Sequence, residues 1–549
     1  MTEDYGVIVA ALTPRGKKGG LDFGAAFAMG KLLGCVLAAA SMLVGQTVVT
    51  YRSTVDQSEQ PYALYVPKSY DPARRYPLVV SLHEEESNHV VNLKRVFGIP
   101  TRYGETGLQA LSMPAVPRAV DYLVACPFAR GTMGYQGIAE QDVYDVLADV
   151  KRRYPVDEDR VYLTGVSMGG GGALWLGLTR PGVWAAVAPL CADVFPGTES
   201  LAPNALNLPI RFFHGELDPA VGVESSRQWQ RRLLGLESPV EYIEFPGVRH
   251  NAWDFAYKDG AIFDWFGKYR RNANPDRVRL VARDLRYAAA YWVRIDALAP
   301  GVLASVNAVR SAGGVRVETR DVDAFTLATS AKAVTIDGAA VRLRPAAALS
   351  FSKTAQGWRQ SPAGAAALQG PIVEAVNARH IYVYGAGDAQ ARGYAESAAA
   401  WSSNRSRLNL KLPVKSDREV SDDDVAGANL VLFGTPRTNR LIARFAPQFP
   451  LALNPGAADY GLLFIVAAGK HYVLVSSGLP WWTGAEEANR GGYRYAPAPY
   501  RLLSTFGDYI LFKGSLANVL AEGRFDRNGK VGPEAAEKLR ATGTVSILK

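Results

Sequence analysis

Cysteine is scarce in this chain, with three residues in 549. Cys35 lies in an apolar N-terminal stretch, which leaves Cys126 and Cys191 for the rest of the chain. Both follow apolar segments that we do not expect to become neighbouring strands, so their Cα atoms would be too far apart for a disulfide. We therefore predict two buried thiols and a fold that does not depend on an oxidising compartment.

A hydrophobic run long enough to cross a membrane is also missing. The apolar stretch from Leu32 to Val44 has 13 uncharged residues and follows Lys31, whereas a spanning helix needs about 20. This pattern predicts a leader with a secretory signal peptide over residues 1–46, a start at Met29 being an alternative, and a secreted or periplasmic location. A lipoprotein acylated on Cys35 and an uncleaved interfacial anchor are the other interpretations.

Three kinds of binding signal are absent. The net charge is +9 without a block of Lys and Arg or a nucleic-acid motif, so we predict no nucleic-acid partner. His, Cys and carboxylates do not cluster with metal-ligand spacing, and no metal is expected. Gly385 and Gly387 lack the third glycine of a dinucleotide fingerprint, so no cofactor is expected. The sequence leaves the oligomeric state open.

The most informative feature present is the sequence G-x-S-x-G around Ser167. The motif spans Gly165 to Gly169, directly after the apolar run Val161–Leu163 and before a helical stretch from Gly170 to Leu178. This setting predicts a strand, a sharp turn and a helix, with the serine hydroxyl projecting out of the sheet. The start of that helix would direct amide hydrogens towards a developing oxyanion. Ser167 is therefore the predicted nucleophile.

A carboxylate and a histidine follow the serine in an order that suits catalysis. Asp218 comes just after a predicted strand, with Glu216 as a rival, and His250 lies on the loop after the strand Val240–Phe245. The carboxyl ends of parallel strands share one edge of a sheet. We predict that His250 is the general base and then acid, and that Asp218 orients its ring. His214 is interpreted as a structural histidine.

Residues Tyr62 to Tyr269 resemble a secreted α/β-hydrolase of the predicted-peptidase, prolyl-oligopeptidase-like type. They are also similar to the catalytic domains of feruloyl esterases and polyhydroxybutyrate depolymerases. The segments that carry the resemblance are Tyr76–His83, Asp157–Val161, Gly165–Gly170, His214–Pro219 and His250–Trp253. The resemblance implies a doubly wound, mostly parallel sheet and the hydrolysis of an ester or an amide.

Residues 83–86, His-Glu-Glu-Glu, stand where such hydrolases often carry His-Gly-Gly or His-Gly-x. We predict an oxyanion hole made by the amides of Met168 and Glu84, although Glu84 is not a glycine. The three carboxylates would disfavour anionic acyl groups, or else point to solvent. His83, Tyr135 and Trp253 are the predicted substrate-binding residues, with Trp253 as an aromatic wall.

The pattern after the hydrolase changes twice. We predict the hydrolase over 47–272, a β-rich, sandwich-like domain over 276–362 and an accessory α/β domain over 363–549, because short alternating strands give way to two strand–turn–helix units. Trp481 and Trp482 are predicted on a loop, where they would either stack on sugar rings or pack between domains.

We expect a serine hydrolase that cleaves a small-molecule or polymer-linked carboxylic ester through an acyl-enzyme. Only a short segment separates the predicted leader from the strand Tyr62–Pro67, which leaves no room for the propeller that gates prolyl oligopeptidases. A serine peptidase of the prolyl-oligopeptidase type is the alternative. A third interpretation is an inactive hydrolase scaffold that binds a carbohydrate or a surface.

Overall fold

The computed structural model describes residues 45–102, 105, 118–299, 301–362, 370–403, 410, 412–488, 490–526 and 528–548. Residues 1–44, which hold most of the predicted leader, together with Met29 and Cys35, lie outside these ranges. Within them, no helix has the length and apolar character to cross a membrane. The first strand begins at Gly45, so the last two positions of the predicted leader belong to the folded part.

The first sheet of the described chain has eight strands in the order β1-β2-β4-β3-β5-β6-β7-β8. β1 and β2 pair antiparallel, β2 pairs antiparallel with β4, and every pairing from β4 through β8 is parallel. The strands are β1 (Gly45–Arg52), β2 (Glu59–Val66), β3 (Tyr76–Leu82), β4 (Leu123–Pro127), β5 (Val156–Val166), β6 (Ala186–Leu190), β7 (Ile210–Gly215) and β8 (Val240–Phe245). The predicted doubly wound, mostly parallel α/β-hydrolase sheet is confirmed.

Helices cover both faces of this sheet. They are α1 (His89–Val96), α2 (Ile138–Arg153), α3 (Met168–Thr179), α4 (Glu224–Gly235), α5 (Trp253–Ala256) and α6 (Ala261–Phe266). Every residue of β3, β4 and β6 is buried, as expected for strands covered on both sides. Leu78 and Val80 face one apolar cluster, and Val79 faces the other.

A helical segment that starts at Trp253 closes the hydrolase, with one interruption. The helix breaks after Ala256 because Asp259 and Gly260 both adopt positive φ, 54° and 71°. It resumes as α6 and ends at Phe266. Cys126 and Cys191 are buried and unbridged, as predicted, and two strands separate β4 from β6.

Residues 277–361 form two five-stranded sheets within the described ranges, in the orders β10-β11-β14-β17-β18 and β16-β15-β13-β12-β9. The strands are β9 (Arg277–Ala282), β10 (Ala289–Ala290), β11 (Val293–Leu298), β12 (Ala304–Ser311), β13 (Gly314–Arg320), β14 (Val322–Leu327), β15 (Val334–Ile336), β16 (Ala339–Val341), β17 (Leu349–Thr354) and β18 (Gly357–Ser361). Residues of both sheets, Trp292 and Phe325 among them, bury one shared apolar cluster, the arrangement of a sandwich.

The C-terminal part is built on a mixed sheet in the order β20-β19-β21-β24-β23-β25-β26, counted over described residues. Its elements, with a small second pair of strands, are β19 (His380–Tyr384), α7 (Ala389–Ser403), β20 (Val414–Ser416), α8 (Asp422–Gly427), β21 (Asn429–Phe433), α9 (Arg440–Phe445), β22 (Leu451–Leu453), β23 (Tyr460–Ala468), β24 (His471–Gly478), α10 (Ala498–Leu503), β25 (Tyr509–Lys513), β26 (Val519–Gly523), α11 (Pro533–Ala541) and β27 (Val545–Ile547). β19, β20, β21 and β24 run parallel.

The C-terminal part shares its core with the hydrolase. One apolar cluster contains hydrolase residues such as Ile138 and Phe195 together with Tyr382 and Tyr500. Trp481 belongs to it: the ring is 2% exposed, stacks on Phe433 at 5.7 Å and donates its indole N–H to the Pro499 carbonyl at 3.0 Å. Of the two interpretations for this tryptophan, packing is therefore the one that the structure supports.

Candidate active site

Ser167 occupies the turn between β5 and α3 in a strained conformation. Its φ and ψ are 53° and −115°, a region that non-glycine residues rarely adopt and that costs about 1–3 kcal/mol. The Ser167 amide donates to the Leu190 carbonyl at 2.9 Å, and the Asp193 amide donates to the Ser167 carbonyl at 3.1 Å. The loop after β6 thus holds the serine on this sharp turn.

The start of α3 lies directly against the end of β3. A Cβ placed on Gly169 would come within 2.3 Å of the Leu82 carbonyl oxygen and 2.7 Å of the His83 carbonyl oxygen. Only glycine permits this approach. The contact brings the peptide after Ser167 close to the residues that follow β3.

The amides of Met168 and Glu84, the predicted oxyanion-hole donors, follow the two residues on either side of this junction. The Ser167 side chain does not cap α3, and no described residue accepts a hydrogen bond from the amide of Met168 or of Glu84. Glu84 does not adopt a positive φ, so its peptide needs no glycine. Both amides can therefore donate to a ligand.

His250 and Asp218 meet at the ends of β8 and β7. The His250 Nδ1 donates to Asp218 Oδ2 at 2.7 Å, and Asp218 Oδ1 accepts from the amides of Ala220 and Val221 at 2.8 and 2.9 Å. Burial alone would raise the pKa of the Asp218 carboxyl, but hydrogen bonds from His214, His250 and the Val221 amide hold it well below its usual range. Asp218 is therefore a carboxylate that orients the imidazole.

His214 contributes a contact that the sequence did not indicate. Its Nε2 lies 3.2 Å from Asp218 Oδ2 and 2.9 Å from the Val221 carbonyl, and its Nδ1 lies 2.7 Å from Ser226 Oγ. The ring is completely buried, in keeping with a structural role that here extends to the carboxylate. Glu216, the rival carboxylate, accepts instead from the Gly247 amide at 2.9 Å.

Cys191 connects the histidine loop to the serine turn. Its Sγ donates to the His250 carbonyl at 3.2 Å, and it directly follows Leu190, which bonds the Ser167 amide. Sγ, a His250 nitrogen and an Asp218 oxygen lie within 4.8 Å of one another, a grouping that could hold a metal ion. Burial raises the pKa of the Cys191 thiol well above its usual value, and metals bind the thiolate. We therefore do not assign a metal to this group.

Arg95, on α1, links the loop after β3, at Glu84, to the loop after β8 that carries His250. Its guanidinium forms an ion pair with Glu84 at 2.6 Å and lies 4.8 Å from the centroid of the Trp253 ring. Trp253 in turn packs edge-on against His250 at 5.5 Å. Trp253 thus lies beside His250, and the guanidinium of Arg95 compensates the charge of Glu84.

His83 and Tyr135 occupy different positions from those expected of substrate contacts. Both side chains are completely buried. The His83 ring nitrogens lie 2.6 Å from the Glu84 carbonyl and 3.0 Å from the Phe128 carbonyl, and Tyr135 donates its hydroxyl to the His83 carbonyl at 3.0 Å. In this structure both side chains pack beneath the loop after β3 and are not exposed to solvent.

Residues from the C-terminal part also reach this edge of the sheet. Tyr495 donates a hydrogen bond to the Asp193 carboxylate, and Arg494 forms an ion pair with it at 2.6 Å. Asp193 is the residue whose amide bonds the Ser167 carbonyl. No local sequence signal marks these two residues, which lie about 300 positions beyond the loop that they contact.

Part of the chain is similar to known hydrolases. Residues 131–277, a minority of the chain, match the Dienelactone hydrolase family. A solved thermostable esterase is 27% identical with a TM-score of 0.34, over 41% of this chain and 63% of that one. The chain therefore spans less than two thirds of that esterase. The comparison with curated proteins gave no match.

Two further structures align with the same share of the chain. A ferulic acid esterase from Anaeromyces mucronatus, solved with ferulic acid, is 18% identical with a TM-score of 0.31, over 40% of this chain and 91% of that one. A fluorophosphonate-binding serine hydrolase of Staphylococcus aureus, solved with substrate bound, is 16% identical with a TM-score of 0.32, over 40% and 98%. These values are too low to carry an argument on their own.

The sheet order and the family match agree on the fold. The part of the chain from β1 to α6 has the α/β-hydrolase fold, and the match to a hydrolase family covers residues 131–277.

Proposed function

We propose that this protein is a serine hydrolase that cleaves carboxylic esters through an acyl-enzyme. Ser167 is the nucleophile, His250 the base and Asp218 the orienting carboxylate. The observation that supports this most directly is the 2.7 Å hydrogen bond between His250 Nδ1 and Asp218, on a loop that Cys191 links to the strained turn of Ser167. A histidine oriented by a carboxylate in this way is the base that activates a hydroxyl in a serine hydrolase.

The first half of the proposed reaction forms the acyl-enzyme. Because Nδ1–H of His250 is bonded to Asp218, the other nitrogen carries the lone pair and removes the proton from Ser167 Oγ. Oγ attacks the ester carbonyl carbon, and the resulting oxyanion accepts hydrogen bonds from the amides of Met168 and Glu84. The tetrahedral intermediate then expels the alkoxide, which takes its proton from the imidazolium of His250.

The second half repeats these steps with water. His250 takes a proton from a water molecule, whose oxygen attacks the acyl carbon bound to Ser167. The carboxylic acid leaves as the Ser167 oxygen recovers the proton. Asp218 stays ionised throughout, because the hydrogen bonds that it accepts keep the pKa of its carboxyl low.

An ester is the substrate that we favour over a peptide. The family matched by residues 131–277 is named for the hydrolysis of a lactone, which is a cyclic ester. Hydrolysis rates of p-nitrophenyl acetate, methyl ferulate and a prolyl-nitroanilide, measured with the full chain, distinguish an esterase from a peptidase. We expect the esters to react faster, whereas faster cleavage of the anilide would indicate the peptidase alternative.

A fluorophosphonate probe tests the nucleophile independently of the substrate. We expect the wild type to be labelled once, on Ser167, and Ser167→Ala to lose both labelling and about 10³-fold to 10⁶-fold in kcat. Absence of labelling in a folded wild type, or equal labelling of Ser167→Ala, would contradict the mechanism and favour an inactive binding scaffold.

We also propose that the protein acts outside the cytoplasm, after removal of a leader that ends near residue 46. The support is the uncharged stretch from Leu32 to Val44 behind Lys31. Expression of the full chain, followed by cell fractionation and N-terminal sequencing, examines this. A cytoplasmic product that retains residues 29–46 would contradict it.

We also propose domain boundaries near residues 276 and 363. Limited proteolysis tests them, because the first cleavages should fall close to these positions.

A further inference from the structure

One side chain of the C-terminal part bridges two loops at the carboxyl edge of the hydrolase sheet. Tyr495 packs on the loop after β4, where a Cβ on Gly134 would lie 3.1 Å from the Cβ of Tyr495. It also reaches the loop after β6, where its hydroxyl donates to Asp193 and its ring meets Phe195 edge-on at 6.1 Å. A second contact fixes this segment, because the Ile138 amide donates to the hydroxyl of Tyr500 at 3.2 Å.

The order of the strands shows which residues lie between the two loops that Tyr495 contacts. β3 and β5 lie between β4 and β6 in the sheet, and all four are parallel. Their carboxyl ends therefore share one edge, at which β3 leads to Glu84 and β5 leads to Ser167. A residue that contacts the loops after β4 and β6 therefore lies at the same sheet edge as the proposed nucleophile and oxyanion hole. Asp193, which this segment contacts, is also bonded through its amide to the Ser167 carbonyl.

Arg494, next to Tyr495, has a guanidinium group that could donate hydrogen bonds to a ligand. One guanidinium nitrogen is held by Asp193 at 2.6 Å, yet 51% of the side chain is exposed. Asp193 itself is largely buried and is anchored to the Ser167 carbonyl through its amide. The arginine is therefore held at one end of its planar fork, while about half of its side chain stays exposed. Such a group donates hydrogen bonds to acceptor oxygens.

We infer that Arg494 is a specificity-determining residue of the hydrolase site, supplied by the C-terminal part of the chain. It would donate hydrogen bonds to acceptor oxygens that a substrate carries beyond its scissile ester. Tyr495 and Asp193 hold the guanidinium in place, and Tyr495 itself, 9% exposed, acts as the positioning residue. This inference rests on the proposed esterase function.

Two esters of the same skeleton test the inference with the full chain. Methyl ferulate carries a hydroxyl and a methoxy group that methyl cinnamate lacks. We expect Arg494→Ala to raise the KM for methyl ferulate about tenfold, the size of one lost charge-assisted hydrogen bond, with kcat within about twofold. The KM for methyl cinnamate should stay within about twofold. Arg494→Lys should recover part of the difference, because it keeps a donor but loses the fork.

A second arginine in the same part of the chain gives the control. Arg444 is 53% exposed and pairs with Asp422 at 3.1 Å, which matches Arg494 in exposure and in having an acidic partner. We expect Arg444→Ala to leave both esters unchanged. Equal changes for methyl ferulate and methyl cinnamate in Arg494→Ala, or no change in either, would overturn the inference.

Failure of the proposed function has a different signature. If the fluorophosphonate does not label Ser167 in the wild type, the esterase proposal fails and the inference falls with it. If Ser167 is labelled but neither methyl ester is hydrolysed, the serine hydrolase stands and the inferred substrate class is wrong. Thermal unfolding of each variant identifies any that does not fold, and Tyr495→Phe then replaces Arg494→Ala as a milder probe of the same selectivity.

Discussion

The turn from β5 into α3 and the turn from β19 into α7 both leave the carboxyl end of a parallel strand in a layered α/β arrangement. In the first, Ser167 adopts a strained conformation and does not cap the helix. In the second, Asp388 follows the turn and accepts from the Ala391 amide at 2.9 Å. The first turn leaves a hydroxyl and amides available to a ligand. At the second turn, the carboxylate of Asp388 already accepts a hydrogen bond from an amide at the start of the helix.

The same contrast extends along each edge. Beside the β19 turn, Asp417 accepts from the amides of Ala386 at 2.9 Å and of Arg440 at 2.7 Å, and Asn439 accepts from the Leu441 amide at 3.0 Å. At the edge that carries Ser167, Asp218 holds a histidine in addition to two amides. The edges therefore differ in two features that acyl transfer uses, which are open helix-start amides and a carboxylate bonded to an imidazole.

Matched substitutions of the two carboxylates should produce the largest difference. Asp218→Asn leaves the packing intact but removes the acceptor that sets the tautomer of His250, so we expect kcat on an ester to fall by about 10⁴-fold. Asp417→Asn should leave kcat within about twofold. Steady-state kinetics of both variants measures this, and a similar loss in the two would show that the edges are not functionally distinct.

Replacing one glycine of each turn by alanine should change the free energy of unfolding by very different amounts. At Gly169 the new Cβ would lie 2.3 Å from the Leu82 carbonyl, so we expect a loss of about 3 kcal/mol or more together with most of the activity. At Gly387 nothing lies within 4 Å of the new Cβ, and the change should be neutral or slightly stabilising. Denaturant midpoints compare the two, and equal losses would contradict the close approach at Gly169.

Mild acid should destabilise the fold through two buried histidines before it affects Asp218. Burial lowers the pKa of His380 to about 4, so the unfolded chain binds a proton below about pH 6.5 while the folded chain does not. Stability should fall by about 2 kcal/mol between pH 7.5 and 5 from this residue. His89, whose pKa burial lowers to about 3, adds a similar loss.

Asp218 acts in the opposite sense. Because its pKa is lowered on folding, its contribution is present above the pKa of the unfolded carboxyl, about 3.9, and disappears only below it. Denaturant midpoints at pH 7.5 and 5 should therefore differ less in His380→Gln than in the wild type. An unchanged difference would mean that His380 is not a source of the acid sensitivity.

The smallest effect is expected for the cap of α7. Asp388→Ala removes the acceptor of the Ala391 amide and should cost about 1 kcal/mol of stability, with no change in kcat. Asp388→Asn keeps an acceptor and should recover most of it. A loss of activity in Asp388→Ala would indicate that the second edge influences the first.

Local pattern was enough for the hydrolase sheet and for the residues proposed as catalytic. The apolar run before Gly165 and the glycines after Ser167 specify a strand, a turn and a helix through neighbours in sequence. Asp218 and His250 follow apolar strands whose parallel ends must share an edge. Their positions relative to those strands could therefore be predicted without coordinates.

The surroundings of these residues could not be predicted in this way. The sequence presents His83 and Tyr135 as polar residues near the site, but whether they face a ligand or the core depends on how loops pack, and both are buried. The ion pair of Glu84 with Arg95 and the contact of His214 with Asp218 likewise depend on side-chain directions.

By itself, then, the sequence determined which side chains could perform acyl transfer and on which sheet edge they would lie, because turn chemistry and strand periodicity are local. Only the tertiary structure decided what completes that edge. The contact between Asp193 and Tyr495 joins residues 302 positions apart. Such a pairing is set by the packing of the C-terminal part against the hydrolase, and no short-range pattern in the chain encodes it.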